Sequence, residues 1–335
     1  MDEAARAMLA ASGWAEATAA PLAGDASARR YLRLTRADGA CAILMLAPQD
    51  GSTERFVKIA AQLRACGLSA PAILAEEAGA GRLLLEDFGD DSLAARVAAD
   101  PGAEPALYAV AVELLAAMQA DAAPAWLPRP DASMLAEMTA PAAEWYAGGG
   151  PARPDAARAL AEALRAPLDA VVAEARPVLV HRDFHAENLM WLPARAGAAR
   201  LGLLDFQDAI AGPGAYDLVS LTRDARRDLA PGLHETLLAH YAAATGRDVD
   251  AVTREAAVLG VQRNLRILGV FARLSLRDGK ARYVDLIPRV WRHLQADLAH
   301  PALAPVRDAV LCHLPAPDRA HLDRLKGPCA VPLSP

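Results

Sequence analysis

The pattern of apolar residues changes near Gly89, and this change limits the folds open to the chain. Before it, short apolar runs alternate with small polar turns: AEATAAPL, RRYLRLT and CAILMLA come first, then ILAEEAG and GRLLLEDFG. Runs of this length between turn residues predict two groups of antiparallel strands. Between the groups, TERFVKIAAQLRAC places Phe56 and Leu63 on one stripe, and Gly67 follows it, which predicts one long helix.

Beyond Gly89 the apolar spacing predicts helices, at about 104–119, 133–146, 155–175 and 216–299. The chain has 335 residues, 54% of them hydrophobic, which is enough to bury a sizeable core. We therefore predict an α+β fold in which residues 1–89 form a small β-rich part with one long helix. Residues 90–300 are predicted to form a larger helical part, and residues 301–335 a Pro-rich, loosely attached tail.

The composition argues against several kinds of partner and compartment. The formal net charge of −6 gives no general attraction to nucleic acid or to anionic membranes, so we expect neither as a partner. Four cysteines without a CxxC pair are too few and too scattered for a disulfide framework or a zinc site. The opening segment MDEAARAMLAASGW lacks the basic and apolar regions of a signal peptide, and we expect a cytoplasmic protein.

Two short polar segments carry the candidate chemistry. HRDFHAEN contains Asp183 and Asn188, and LGLLDFQDA contains Asp205. Brief apolar runs at 177–180 and 200–204 bracket HRDFHAEN and the turn WLPARAGAA, and Asp205 follows the second run. We expect these two runs to pair as a buried hairpin that brings the three side chains together. Phosphoryl transfer needs such a set, because a carboxylate deprotonates the attacking hydroxyl while an amide and a second carboxylate hold Mg²⁺ against nucleotide phosphates.

The loop HRDFHAEN resembles the H-R-D-L-x-x-x-N catalytic loop of protein kinases, and LLDFQDA takes the place of their D-F-G segment. It is more similar to the aminoglycoside phosphotransferase and choline kinase family, whose loop usually reads HGDLHPGN. This resemblance implies a protein-kinase-like two-lobe fold, ATP and Mg²⁺ as cofactors, Asp183 as catalytic base, and Asn188 and Asp205 as metal ligands. It also implies that Asp217 anchors the catalytic loop; the alternative is that Asp217 is the N-cap of the next helix.

The interval between Asp205 and Asp217 is too short for the activation segment of a protein kinase, which favours a small-molecule substrate. Several motifs are similar to the sugar kinases of peptidoglycan recycling: GDASARRYLRL, ILMLAPQD, LLLEDFGD and QRNLRILGVFARLSLRDGKARYVDLIPRVWRHL. That resemblance implies ATP-dependent phosphorylation of the anomeric (C1) hydroxyl of N-acetylmuramic acid and N-acetylglucosamine, with the product passed to a uridylyltransferase. The alternatives are a kinase of another small alcohol, such as an aminoglycoside, choline or homoserine, and a non-catalytic pseudokinase.

The pseudokinase alternative is motivated by Met45, which stands in AILM where protein kinases carry a phosphate-binding lysine. An arginine on the preceding strand could replace that lysine. We select Arg30, with Arg29 and Arg33 as alternatives, because the pleat of the strand decides which of the three points inward.

Three further residues are candidate contacts for ATP. Ser27, in the turn GDAS, is expected to donate its hydroxyl to a phosphate. Glu86 and Asp87 follow the apolar run GRLLL and are expected to form the linker whose backbone binds adenine.

Candidate substrate contacts come from three places in the sequence. His185 lies inside the HRDFHAEN loop, Asp208 closely follows Asp205, and Arg263 lies in the late polar segment QRNLR. Each also has a structural reading, as a loop brace, a turn cap and a solvated helix face, respectively. His181 is expected to brace the loop rather than to act in catalysis.

Overall fold

The computed structural model describes residues 2–22, 29–148, 150 and 153–327. The chain divides into two compact units, each built from two stretches of sequence. Unit 1 comprises Met1–Met118 with His181–Ala209, and unit 2 comprises Gln119–Val180 with Ile210–Pro335. The boundary predicted at Gly89 is therefore not where the chain divides, because the segment with both HRDFHAEN and LLDFQDA belongs to the same unit as the predicted sheet.

The regular elements follow the predicted change from strands to helices. The strands are β1 (Thr18–Pro21), β2 (Arg30–Thr35), β3 (Cys41–Leu46), β4 (Ile73–Glu77), β5 (Arg82–Glu86), β6 (Val178–Val180), β7 (Leu189–Trp191), β8 (Leu201–Leu203) and β9 (Ile210–Gly212). The α-helices are α1 (Glu3–Ala11), α2 (Ser52–Ala65), α3 (Leu93–Ala99), α4 (Glu104–Met118), α5 (Ala132–Glu137), α6 (Pro154–Glu174), α7 (Ala215–Thr222), α8 (Leu233–Thr245), α9 (Val249–Leu276), α10 (Ile287–Leu298), α11 (Ala304–His313) and α12 (Arg319–Lys326).

The sheet of unit 1 has the strand order β1-β2-β3-β5-β4, and every neighbouring pair is antiparallel. Both predicted groups of strands are confirmed, and α2 lies between them as predicted. One face of the sheet buries Leu34, Leu44 and Leu84 against Met8 and Leu9 of α1. Because side chains alternate across a strand, this packing fixes which residues of β2 and β3 face the other side.

The pairing of the short strands differs from the prediction. The run before HRDFHAEN (β6) does not pair with the run before Asp205 (β8) but with β9, in unit 2. In unit 1, β8 pairs instead with β7, which follows HRDFHAEN directly. Three-residue strands buried throughout have no alternation to set their partner, so the sequence alone did not distinguish these arrangements.

Unit 2 is mainly helical and is organised around α9, whose side chains are buried along most of its length. α9 packs against α7 and α10 of the same unit. The predicted loose tail is not observed up to Gly327, because α11 and α12 occupy this region and α11 buries Val306 and Val310. Pro301 and Pro305 lie in first turns of helices, where a missing N–H costs nothing, whereas Pro315 and Pro317 lie in the connection between α11 and α12. No helix in the described ranges is both long and apolar enough to cross a membrane.

Candidate active site

The β7–β8 hairpin brings the two candidate metal ligands close together in unit 1. β7 begins directly after Asn188, and β8 ends just before Asp205. In the antiparallel register Leu189 is opposite Leu203, and the N–H of Leu204 donates to the carbonyl of Asn188 at 3.0 Å. The predicted convergence of these two residues is therefore observed, although a different strand pair produces it.

Two residues of this region have unusual backbone conformations. Arg182 has a φ of 76° and Asp205 a φ of 61°, and among the described residues they are the non-glycine residues with positive φ. Such conformations cost on the order of 1–3 kcal/mol each and are found mainly where surrounding contacts and function require them. One lies beside Asp183 and the other is itself a candidate ligand.

Asn188 is oriented by contacts within the HRDFHAEN loop. Its Nδ2 donates to the carbonyl of Asp183 at 2.9 Å and lies 3.2 Å from Nε2 of His185. The same Asp183 carbonyl accepts from the N–H of His185 at 3.0 Å. With its amide nitrogen held in this way, Asn188 presents Oδ1 as the atom available to a cation. His185, a predicted substrate contact, is buried and braces Asn188.

Asp205 is held on one side of its carboxylate. Gln207 donates from Nε2 to Oδ1 at 2.8 Å, and Nη1 of Arg29 lies 3.6 Å from the same oxygen. The side chain of Asp205 remains 46% exposed. An amide oxygen and a carboxylate are suitable ligands for Mg²⁺, which uses few protein groups and keeps several waters. No cluster of three or more His, Cys, Asp or Glu side chains suited to a metal occurs in the described ranges.

Aromatic packing ties these loops to α2. Phe206 stacks on Phe56 of α2 with ring centroids 4.6 Å apart. His181 packs edge-on against Phe184 at 5.9 Å and against Phe206 at 6.4 Å. Complete burial lowers the pKa of His181, so its imidazole stays neutral. This position supports the prediction that His181 braces the loop.

The three candidate arginines at the start of β2 and within it have different surroundings. Arg30 is exposed and alternates onto the face that includes Leu34, which faces the α1 core. Met45 is fully buried and lies opposite Tyr31 in the β2–β3 register, so it shares the other face. Arg29 immediately precedes β2, and its side chain is only 10% exposed. The structure thus brings Arg29, rather than the selected Arg30, to Asp205.

Arg33, the third alternative, is engaged elsewhere. Its guanidinium makes hydrogen bonds of 2.6 and 3.2 Å to Asp87 and of 2.8 and 2.9 Å to Asp90. Bidentate pairs of this kind use most of the donor groups of an arginine. Hydrogen bonding to Arg33 lowers the pKa of Asp90. Arg33 therefore fixes the segment after β5.

That segment is the predicted linker, and its side chains are also engaged. Glu86 pairs with Arg195 and accepts from the N–H of Ala72 at 3.1 Å. The N–H of Glu86 donates to the carbonyl of Ala72 at 2.8 Å. The backbone N–H of Glu86 is therefore already engaged with Ala72. Ser27, the predicted phosphate contact, lies outside the described residues.

Comparison with known proteins identifies the chain. Residues 18–255 match the model of the phosphotransferase enzyme family. The chain belongs to this family. A relative from Caulobacter vibrioides, named N-acetylmuramate/N-acetylglucosamine kinase, is 40% identical, with 91% of this chain and 94% of the relative covered. A relative of the same name from Pseudomonas aeruginosa is 33% identical, with 91% and 92% covered.

Solved structures support the same fold. A choline/ethanolamine kinase family protein from Mesorhizobium loti has a TM-score of 0.62 at 16% identity, covering 97% of this chain and 98% of that chain. An ADP-bound aminoglycoside phosphotransferase has a TM-score of 0.59 at 14% identity, covering 88% and 97%. The predicted kinase-like α+β fold is confirmed. The protein is an enzyme that transfers a phosphoryl group to an alcohol acceptor.

The remaining candidates of the phosphotransferase lie in different places. Asp208, in unit 1, is exposed, lies 3.7 Å from Arg55, and accepts from Arg182 through its carbonyl. Asp217 is fully buried in the first turn of α7 in unit 2, and since the N-cap is Gly214, Asp217 is not the cap.

Arg263 is also in unit 2, where it is buried within α9 and donates to the carbonyl of Arg223 at 3.4 Å. Its neighbours Gln262 and Asn264 are also buried. Gln262 donates a hydrogen bond to the carbonyl of Leu135, and Asn264 donates one to the carboxylate of Asp297. The solvated-face reading of QRNLR is therefore wrong for these three residues.

The sequence did not predict the contacts of three residues around the site. Gln207 stands beside Asp205 in LLDFQDA and was not assigned to it. Arg29 was only an alternative, because the sequence did not settle the phase of the pleat. Arg195 comes from the turn between β7 and β8, and no local pattern connects it with Glu86.

Proposed function

We propose that this phosphotransferase transfers the γ-phosphoryl group of ATP to the anomeric C1 hydroxyl of N-acetylmuramic acid and N-acetylglucosamine. The observation that carries this proposal is the 40% identity, over 91% of the chain, to a relative named for those two sugars. A second relative of the same name supports it. The arrangement of Asp183, Asn188 and Asp205 supplies the groups that phosphoryl transfer requires.

Asp183 is the proposed base. Its backbone is fixed because its carbonyl accepts from both Nδ2 of Asn188 and the N–H of His185. The residue is partly exposed, so its carboxylate is accessible to a substrate hydroxyl. An anomeric hydroxyl is more acidic than an ordinary alcohol, so a carboxylate can accept its proton as the oxygen attacks the γ-phosphorus.

Asn188 Oδ1 and the Asp205 carboxylate are the proposed ligands of Mg²⁺. When bound there, Mg²⁺ would neutralise charge on the nucleotide phosphates. The chain keeps both ligands in place by different means. Asn188 is held through its amide nitrogen, whereas Asp205 is held by Gln207 and by its left-handed backbone.

The base of the nucleotide is proposed to bind the backbone that follows Glu86. Asp87 is immobilised there by Arg33 and by the N–H of Gly89, which donates to Oδ1 of Asp87 at 2.8 Å. A linker held in this way would be ordered before ATP binds, which reduces the entropy cost of binding. We further propose that Ser27 contacts a phosphate, that the protein acts in the cytoplasm, and that its product is used by a uridylyltransferase.

The test is a substrate panel followed by product analysis. The purified enzyme would be given Mg·ATP and, in turn, N-acetylmuramic acid, N-acetylglucosamine, choline, homoserine and kanamycin, and ADP release would be measured. We expect turnover with the two amino sugars, and phosphorus NMR should show coupling of the phosphate to the anomeric proton. Turnover with another acceptor only, or phosphate at a different hydroxyl, would refute the proposal. Nucleotide binding without any turnover would favour the pseudokinase.

A further inference from the structure

We propose that Arg29 is the cation that binds the nucleotide phosphates in this enzyme. The inference rests on the proposed use of ATP and assigns a residue to the phosphate part of that site. Negative charges accumulate at the proposed phosphate site. A nucleoside triphosphate carries several negative charges, a divalent ion offsets only part of them, and Asp183 and Asp205 add two more carboxylates to the same region.

The face of the sheet shared by Met45 and Tyr31 contributes no lysine to this charge balance. Met45 is fully buried, and the chain has only the lysines Lys58, Lys280 and Lys326. Of these, Lys58 is on α2 in unit 1, where its side chain is exposed while Phe56 on the same helix is buried. Lys280 and Lys326 belong to unit 2. The candidates are therefore Arg29, which immediately precedes β2, and the β2 residues Arg30 and Arg33.

Arg29 has the position that the other two arginines lack. Its Nη1 is 3.6 Å from Oδ1 of Asp205, and its side chain is nine-tenths buried. Burial raises the pKa of the Tyr31 phenol, and the adjacent Arg29 guanidinium opposes that rise, so the cation lies against Tyr31 as well. By contrast, Arg30 is exposed on the other face, and Arg33 is hydrogen bonded to the linker.

The 3.6 Å between Nη1 of Arg29 and Oδ1 of Asp205 places the guanidinium beside a proposed Mg²⁺ ligand. Mg²⁺ binds its oxygen ligands at about 2.0–2.1 Å, so two oxygens on one ion are at most about 4 Å apart. A guanidinium that reaches an oxygen of Asp205 is therefore within reach of a phosphate oxygen on the same ion. Arginine suits this task because its planar, permanently charged group has five donors and can serve a carboxylate and a phosphate together.

The test measures nucleotide binding directly, apart from turnover. Isothermal titration would give the affinity of the wild-type enzyme and of Arg29→Met for Mg·ATP, for ADP with EDTA present, and for adenosine. Loss of a charge-assisted contact should weaken ATP and ADP by about 10- to 100-fold. Adenosine affinity should be unchanged, because adenosine has no phosphate. Arg29→Lys should keep most of the affinity for ATP.

Two other variants complete the design. Arg36→Met removes a partly exposed arginine that follows β2 and pairs with Asp38, and it serves as the matched control, with no expected effect on nucleotide binding. Arg30→Met tests the rival residue. The proposal is overturned if Arg30→Met, and not Arg29→Met, weakens ATP binding. It is also overturned if Arg29→Met weakens adenosine as much as ATP, or if Arg29→Lys loses as much as Arg29→Met. If the wild-type enzyme binds no nucleotide, the proposed function itself fails.

Discussion

Gly202, in the middle of β8, should not tolerate even a methyl group. A Cβ at this position would lie 2.5 and 2.6 Å from Cδ2 and Cε2 of the Phe88 ring, and 3.1 Å from Cδ1 of Leu192. Phe88 directly follows the linker residues Glu86 and Asp87, and its ring is also covered by the guanidinium of Arg195, 5.2 Å from the centroid. The Gly202→Ala change therefore presses on the aromatic residue that anchors the linker.

The magnitude follows from these distances. Carbon atoms pack best at about 3.5–4.0 Å, so the added methyl is too close to the Phe88 ring by about 1 Å. Overpacking of a filled core costs about 1–3 kcal/mol. Replacement of glycine by alanine recovers about 0.4–1 kcal/mol by restricting the unfolded chain. We expect a net destabilisation of about 1–2 kcal/mol, together with a raised KM for ATP because the linker must move.

Gly212, the last residue of β9, is the control. Its added Cβ would meet Val180 at 3.6 Å and Ile210 at 3.8 Å, which are ordinary contacts. Gly212→Ala should be neutral or slightly stabilising in urea unfolding. In a Phe88→Ala background, Gly202→Ala should cost little, since the clashing ring is gone. Equal effects of Gly202→Ala in both backgrounds, or equal effects of the two glycine changes, would refute the packing argument.

Three further changes test the site and the fold. Asp183→Asn should leave ATP affinity nearly unchanged but lower kcat by about 10²- to 10⁴-fold, and a near-normal kcat would remove Asp183 from the role of base. Asn188→Asp replaces the Nδ2 donor with a carboxylate oxygen, which repels the Asp183 carbonyl that now accepts at 2.9 Å. We therefore expect kcat to fall about 10-fold or more and the dependence of activity on Mg²⁺ concentration to change. An unaltered Mg²⁺ titration would contradict this. Burial lowers the pKa of His234 to about 3, so between pH 6.5 and 3 the unfolded chain takes up a proton that the folded chain does not. The free energy of unfolding should therefore decrease as the pH is lowered through that window. His234→Gln should reduce the slope of this free energy against pH by up to about 1.4 kcal/mol per pH unit. An unchanged slope would count against the role of His234.

The parts of the site that the sequence predicted are those with short separations along the chain. Asp183 and Asn188 share one loop, and Asp205 follows an apolar run, so local pattern was enough to place them in one region. The strand pairing that unites them was predicted wrongly, because β6 and β8 have the same apolar character and only long-range contacts decide their partners.

The choice among the three candidate arginines shows a different limit. Each of Arg29, Arg30 and Arg33 fits the pattern, and a shift of one residue exchanges the two faces. The register that pairs Arg30 with Leu46 settles the question, and α1 enforces it by covering the opposite face. The role of Arg33 could not be found locally, since its partners Asp87 and Asp90 are far along the chain.

The split of unit 1 into two stretches of chain imposes an order on its synthesis. The sheet leaves the ribosome first, but the β7–β8 hairpin emerges only after residues 119–180, which belong to unit 2. The packing of Phe88 against Gly202 can therefore form only after residues 119–180 have been synthesised. For the same reason, recombination at a single point cannot transplant this half of the enzyme between relatives, because both stretches must be exchanged together.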